Sequence, residues 1–238
     1  MPVATTAGPD AAPVGLYAIA DLPAPEGLDA LAYAVALLGE RPAGPGPAYL
    51  QLRAKRMDHA QRRRILAALA PHCVAAGTVL VVNDDVEAAL AEPGVGGLHL
   101  GQEDLGAGDL ATRRARLEAL LERASARPQP LRLGLSTHTL AQVDEASALP
   151  VDYIGFGPVF TTRTKANADP VVGLERLALA AQRSRHPVVA IGGLDRPRAL
   201  AARRAGAAAV ALVSALRAPT IAATRSLAAD LSDMLLQT

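Results

Sequence analysis

Two adjacent carboxylates stand where an apolar run ends. In TVLVVNDD the apolar residues 79–82 give way to Asn83, Asp84 and Asp85. Neighbouring like charges repel and Asp is a poor strand residue, so the pair needs partners. One partner is the set of unsatisfied N–H groups at a helix start, which an Asp side chain caps. Another is a divalent cation, since Mg2+ takes one or two protein carboxylates, keeps waters, and completes its octahedron with substrate phosphates. Asp104, in HLGQED, follows the next apolar run and brings a further carboxylate. The two roles divide between neighbours: Asp85 suits the cap of a helix beginning near Val86, and Asp84 suits a metal pair with Asp104.

Cations accompany these acids. Gln51, Arg53 and Lys55 alternate in QLRAK, so they share one face of a strand. An Arg and a Lys on an inward face need an anion, because an unpaired buried charge is costly. Arg grips phosphate bidentately and Lys acts as a compact point charge; the alternative is an ion pair to Asp84 or Asp104 at the exposed rim. GLSTHT supplies Ser136, Thr137 and His138, and FTTRTK supplies Thr161, Thr162, Arg163, Thr164 and Lys165. The stretch from 161 to Gly173 is a long loop of the kind that folds over a ligand. IGG at 191–193 and VSA at 213–215 let a backbone approach an anion closely and offer it amide N–H groups, although IGG also suits a tight turn. Two anion sites emerge. One holds the metal pair, Arg53, Lys55, Ser136 and Lys165; the other holds Gly193, Val213 and Ser214. A diphosphate and a monophosphate would fill them.

These residues meet only if the segments that carry them lie side by side. Apolar runs at 15–21, 48–55, 78–83, 97–102, 131–137, 153–160, 187–193 and 207–215 alternate with segments of helical period. The helical segments lie near 27–40, 58–76, 85–92, 109–126, 139–148, 173–184, 196–205 and 218–236. Near-continuous apolar strands imply burial on both faces, as in a parallel sheet wrapped by helices. Eight strand–helix units favour a closed, single-domain (β/α)8 TIM barrel over an open doubly wound sheet, and a barrel gathers its catalytic groups at the C-terminal strand ends. Residues 14–238 read as that barrel and residues 1–13, rich in Ala and Pro, as a disordered tail.

Composition narrows the partners. Half of the 238 residues are hydrophobic and only 3% aromatic, so the core is built mainly of Ala, Leu and Val. A net charge of +1 gives no electrostatic case for nucleic acid or an anionic membrane, and no apolar run approaches the ~18 residues that span a bilayer. The one cysteine, Cys73, excludes an internal disulfide and suits a reducing compartment; in a helical segment it reads as a packing residue. No leader with a basic start and apolar core is visible. The expectation is a soluble cytoplasmic protein acting on small phosphorylated molecules, with homo-oligomerisation left open.

In this order, QLRAK, VNDD, HLGQED, GLSTHT, GPVFTTRTKANADPVVGLE, AIGG and VALVSA closely resemble the thiamine phosphate synthase family, over about residues 15 to 216. The resemblance implies a (β/α)8 transferase that joins hydroxymethylpyrimidine diphosphate to a thiazole phosphate with Mg2+ as cofactor. It implies pyrimidine diphosphate contacts at Gln51, Leu52, Arg53, Ala54, Lys55, Asn83 and Ser136, and Mg2+ ligands at Asp84 and Asp104. Thr162, Arg163, Thr164, Gly193, Val213 and Ser214 match the thiazole phosphate contacts, and Lys165 matches the lysine on the departing diphosphate. Thr161 stands where the family often has Pro, Ala20 where it often has a hydroxyl residue, and Arg163 adds a cation between two threonines. The rivals are a related thiazole tautomerase, with His138 as acid/base, and a non-catalytic thiamine phosphate sensor; the intact Asp84, Asp104, Lys55 and Lys165 set argues against both. A generic sugar-phosphate isomerase leaves QLRAK unexplained. His99, on the opposite strand face from Leu98 and Leu100, reads as a structural histidine of the barrel wall.

Overall fold

The computed structural model describes residues 12–39, 46–162 and 170–238. Among these, eight parallel strands close a barrel in sequence order: β1 (Gly15–Asp21), β2 (Tyr49–Arg53), β3 (Val79–Asn83), β4 (Gly97–Leu100), β5 (Arg132–Thr137), β6 (Tyr153–Phe156), β7 (Val188–Ile191) and β8 (Ala209–Leu212). The helices that follow them are α1 (Ala30–Ala36), α2 (His59–Ala75), α3 (Val86–Ala91), α4 (Leu110–Ala124), α5 (Leu140–Ala146), α6 (Gly173–Arg183), α7 (Arg196–Arg204) and α8 (Ile221–Leu236). No helix among the described residues is long and apolar enough to cross a membrane. The single-domain TIM barrel read from the alternation is the fold observed. The first eleven residues of the expected tail lie outside the described residues.

Elements are shorter than the apolar runs, and their ends have local causes. The sixth apolar run extends to 160, yet β6 stops at Phe156. Pro158 follows, and proline has no N–H for the ladder. The first helical run begins at 27 by period, but Asp29 caps α1 through its side chain to the Ala32 N–H. Asp58, Asp109, Thr139, Asp195 and Thr220 cap α2, α4, α5, α7 and α8 in the same way. Each such cap is worth ~1 kcal/mol.

Alternation along each strand sorts side chains into two cores. Leu16, Ala18, Leu50, Leu52, Leu80 and Val82 face outward and pack under the helices in the larger core. Tyr17, Ile19, Tyr49, Val81, Tyr153 and Val189 face inward and fill the barrel. Cys73 belongs to the outer core at 1% exposure, and burial pushes its thiol up to about 12, so it packs as an inert thiol at neutral pH. The α3 helix has no basic residue in its last turn. Arg127 supplies the missing donor from a distant loop, giving its guanidinium to the carbonyls of Ala89, Leu90, Glu92 and Val95.

Arg127→Ala leaves those carbonyls without their charged donor. It is expected to lower unfolding stability by about 2–3 kcal/mol, read as a lower urea midpoint at unchanged slope, with Arg127→Lys recovering only part. An unchanged midpoint would show that water replaces the guanidinium at no cost.

Candidate active site

The C-terminal ends of the strands open into a cleft of about 1380 Å3 whose walls include Asp21, Arg53, Lys55, Thr162, Gly193 and Ser214. Beneath it a narrower cavity of about 140 Å3 runs into the barrel between Tyr17, Gln51, Asn83, His99, Ser136 and Val213. The residues singled out from sequence on β2, β3, β5, β7 and β8 therefore converge from separate strands. Leu52 and Ala54 are the exceptions. Their side chains are buried in the outer core at 2% and 4% exposure, which leaves them only backbone to offer a ligand. Arg163, Thr164 and Lys165 lie outside the described residues, as does most of the loop read as a lid.

The acidic pair is built by an unusual turn. Among the described residues Asp84 is the non-glycine residue with positive φ, at 64°, a left-handed conformation that Asp and Asn tolerate better than other side chains. The reversal separates the two neighbours. Asp85 turns back to cap α3 through the Ala88 N–H at 3.0 Å, held also by Arg62 Nε at 2.8 Å and His59 Nδ1 at 3.1 Å. Asp84 turns toward Asp104, whose charge acts on its carboxyl. Asp104 in turn accepts the Gly101 N–H at 2.7 Å. Lys55 Nζ approaches Asp84 at 3.9 Å. Burial first, and the charge of Asp104 second, push the Asp84 carboxyl up to about 6, with Lys55 pulling it back. The two acids stand beside the cleft wall rather than on it, next to its lining residues Lys55 and Glu103. Two carboxylate oxygen donors whose mutual repulsion one lysine only partly offsets form a donor set that suits a hard divalent cation.

The cations of QLRAK take separate partners. Arg53 pairs with Asp21 of β1, one strand away, where the sequence pointed to Asp84 or Asp104 as alternatives to a ligand. Lys55 takes the Asp84 partner. Gln51 is 4% exposed and binds Asn83 through Nε2 at 2.8 Å.

At the opposite side of the mouth Gly193, at φ 65°, packs so tightly that a Cβ would lie 2.4 Å from the Thr161 carbonyl and 2.7 Å from that of Phe160. The close approach leaves the β7–α7 backbone facing the cleft beside Val213 and Ser214, where a short 3-10 turn (Ser214–Leu216) starts.

Several site residues escaped sequence reading. Tyr17 and Tyr153 are fully buried in the barrel interior with their hydroxyls 2.9 Å apart, and Tyr17 also reaches Gln51. His99, set aside as a wall residue, lies on the interior face and bonds Ser136 Oγ at 2.9 Å. The alternation that put His99 opposite Leu98 and Leu100 carried this signal, because outward leucines leave the intervening residue inside. His138, which the sequence does single out as an acid/base candidate, gives Nδ1 to the Gly157 carbonyl at 2.6 Å and lines both cavities.

Comparison with known proteins bears on this site. A family model described as thiamine monophosphate synthase matches residues 16–216. The thiamine-phosphate synthase of Laribacter hongkongensis is 40% identical over 186 residues, covering 76% of this chain and 80% of that protein. That of Neisseria meningitidis serogroup B is 37% identical over 168 residues, covering 70% and 75%. Among solved structures, thiamine phosphate pyrophosphorylase from Pyrococcus furiosus superposes with a TM-score of 0.70 at 26% identity, covering 93% of this chain and 97% of that one.

The turn at Asp84 makes a measurable prediction. A carboxyl raised in the folded state from 3.8 to about 6 lends stability that is full at low pH and is lost as pH rises through about 6. Asp84→Asn keeps a side chain suited to positive φ and removes the charge that faces Asp104. In chelator it should melt higher than the parent at pH 7.5, by roughly 2–4 °C per kcal/mol released, with the gap closing near pH 4. Equal melting temperatures at pH 7.5 would mean that the acidic pair carries no strain.

Proposed function

The chain belongs to the thiamine monophosphate synthase family, and from that premise we propose how its barrel mouth carries out the synthase reaction. It is an enzyme, a transferase with the activity of its thiamine-phosphate synthase relatives. The substrates are hydroxymethylpyrimidine diphosphate and a thiazole phosphate, and the products are thiamine phosphate and diphosphate. One observation carries the assignment of the two ends. The acids Asp84 and Asp104 face each other beside Lys55, which lines the cleft, while Gly193 and Ser214 line it elsewhere. A diphosphate with its counter-ion suits the first end and a phosphomonoester the second.

Asp84 and Asp104 would hold Mg2+, which supplies positive charge to the diphosphate oxygens when bound. Arg53 has five N–H donors, so it keeps its pairing with Asp21 and turns others to phosphate. Lys55 adds a point charge from its place beside Asp84, and Lys165 adds another on the strength of the family motif. Gln51, Asn83 and Ser136 hold the pyrimidine in the inner cavity. Thr162, Arg163, Thr164, Gly193, Val213 and Ser214 hold the thiazole phosphate and aim its ring nitrogen at the pyrimidine methylene.

The chemistry then needs no protein nucleophile. The C–O bond to diphosphate breaks and the leaving group takes the electron pair. The electron-rich aminopyrimidine stabilises the carbocation-like carbon, and the thiazole nitrogen lone pair forms the new C–N bond. No proton is transferred in that step. The chain contributes charge stabilisation at the departing oxygen and orientation of the two rings.

The direct test mixes purified protein with both substrates, with and without Mg2+, and follows thiamine phosphate and diphosphate. Equal amounts of both products, dependent on Mg2+, are expected. An altered thiazole isomer without joining would replace this reading with the tautomerase, and binding without either change would replace it with the sensor. Asp84→Asn and Asp104→Asn should each lose more than about 100-fold in turnover, since partners one shell further from a metal already cost roughly 10–100-fold. Lys165→Ala should lower kcat more than it raises the thiazole KM. Ser214→Ala should be mild if the backbone amide binds phosphate.

A further inference from the structure

Six side chains from six strands form one hydrogen-bonded chain across the barrel interior, and its polarity follows from one end. At the β3 end Gln51 donates Nε2 to Asn83 Oδ1 at 2.8 Å, and an amide nitrogen only donates while its oxygen only accepts. Gln51 Oε1 is left to accept the Tyr17 hydroxyl at 2.6 Å. With its proton committed there, the Tyr17 oxygen accepts the Tyr153 hydroxyl at 2.9 Å. The Tyr153 oxygen in turn accepts a hydrogen bond from His99 Nδ1–H, 3.3 Å away. That leaves the lone pair of His99 on Nε2, where it accepts the Ser136 hydroxyl at 2.9 Å.

The surroundings are made for this chain. Burial raises the Tyr17 and Tyr153 hydroxyls above the usual tyrosine range, so both keep the protons the chain requires. On β5 a Cβ at Gly134 would lie 2.4 Å from the Tyr153 hydroxyl and 2.5 Å from His99 Nδ1. On β6 a Cβ at Gly155 would lie 3.3 Å from His99 Cε1. Glycine at 134 thus clears the space in which Tyr153 meets His99.

We propose that this chain holds His99 as the neutral Nδ1–H tautomer and turns the Ser136 proton inward, so that Ser136 presents lone pairs to the cavity. Tyr17, Tyr153 and His99 are positioning residues acting through Ser136. The consequence for specificity rests on the proposed function. An acceptor at this place suits the exocyclic amino N–H of an aminopyrimidine and meets the carbonyl of an oxo-pyrimidine lone pair to lone pair. As the ring gains positive charge during diphosphate departure, its amino N–H becomes a stronger donor, and the bond to Ser136 strengthens in the transition state.

Nitrogen-15 NMR of the substrate-free protein at neutral pH tests the chain directly, with His99 assigned through His99→Gln. A proton on Nδ1 is expected; a proton on Nε2 alone, or on both nitrogens, overturns the proposal. Tyr153→Phe keeps the ring and removes the accepting oxygen, so it should shift the His99 proton toward Nε2, whereas a packing role alone would change the melting temperature and leave the tautomer as it was. Calorimetry with Mg2+ and no thiazole then compares the 4-amino and 4-oxo pyrimidinylmethyl diphosphates. The amino form should bind at least about 100-fold more tightly, and Tyr153→Phe should cut that preference tenfold or more. An undiminished preference in the variant overturns the specificity role. If neither pyrimidine binds while His99 is the Nδ1–H tautomer, the proposed function fails and the chain stands.

Discussion

Asp84 joins three demands in one residue. Its backbone is left-handed at φ 64°, its carboxyl faces the charge of Asp104, and it receives Lys55 Nζ at 3.9 Å. The turn is fixed from both sides: the Asp84 N–H donates to the His99 carbonyl at 3.0 Å and the Asp85 N–H to the Asn83 carbonyl at 2.8 Å. Without the reversal, Asp85 could not cap α3 while Asp84 faces the neighbouring strand. Arg62 extends the control, because the guanidinium that grips Asp85 also donates to the Met57 carbonyl at 2.6 Å. The loop that carries Lys55 is thereby tied to the turn that carries Asp84. The tie sets the backbone positions from which Lys55 and Asp84 reach each other before any ligand arrives.

The barrel interior explains how so few aromatics suffice. Of the four tyrosines in the chain, three meet inside the barrel with ring centroids 5.4–5.8 Å apart. Their rings fill volume that Ala209, Ala211 and Val189 leave open. Phenylalanine has nearly the same shape and would fill that space as well. What tyrosine adds is a hydroxyl at a depth where an unpaired polar group is costly, and for Tyr17 and Tyr153 the cost is met by each other, Gln51 and His99. Packing and polarity are thus solved by the same residues.

Much of this was legible in the sequence because it is local. Eight apolar runs and eight helical periods name the barrel, and VVNDDV places Asp85 as a cap because the capping bond spans three residues. The convergence of Arg53, Asn83, Ser136, Gly193 and Ser214 on one mouth follows from the rule that a barrel gathers its strand ends. What escaped was set by contacts far apart in sequence. Tyr17 reaches Tyr153 across 136 positions, and nothing near either residue distinguishes it from a generic core aromatic. Arg53 chose Asp21 on β1 because parallel register sets the two directly opposite, a pairing that neither QLRAK nor GLYAIAD reveals alone. The left-handed turn was equally invisible, since Asn-Asp-Asp suits several loop conformations.

The two cations of QLRAK are held in different ways, and the difference is physical. Lys55 and Asp84 are 3.9 Å apart with side-chain exposures of 51% and 38%, an arrangement worth about 0–1 kcal/mol in water. Lys55 is therefore held loosely, and leaving Asp84 costs it little. Arg53 and Asp21 are more enclosed, at 17% and 20%, and breaking that pair would strand a charge. Arg53 answers this by its shape: one edge of the planar guanidinium stays with Asp21 and the remaining donors face the cleft. A lysine there would have to abandon one anion for the other. The order of Arg then Lys along the strand places the fixed, multidentate cation deep and the looser one at the rim, beside the acids whose mutual repulsion it partly offsets.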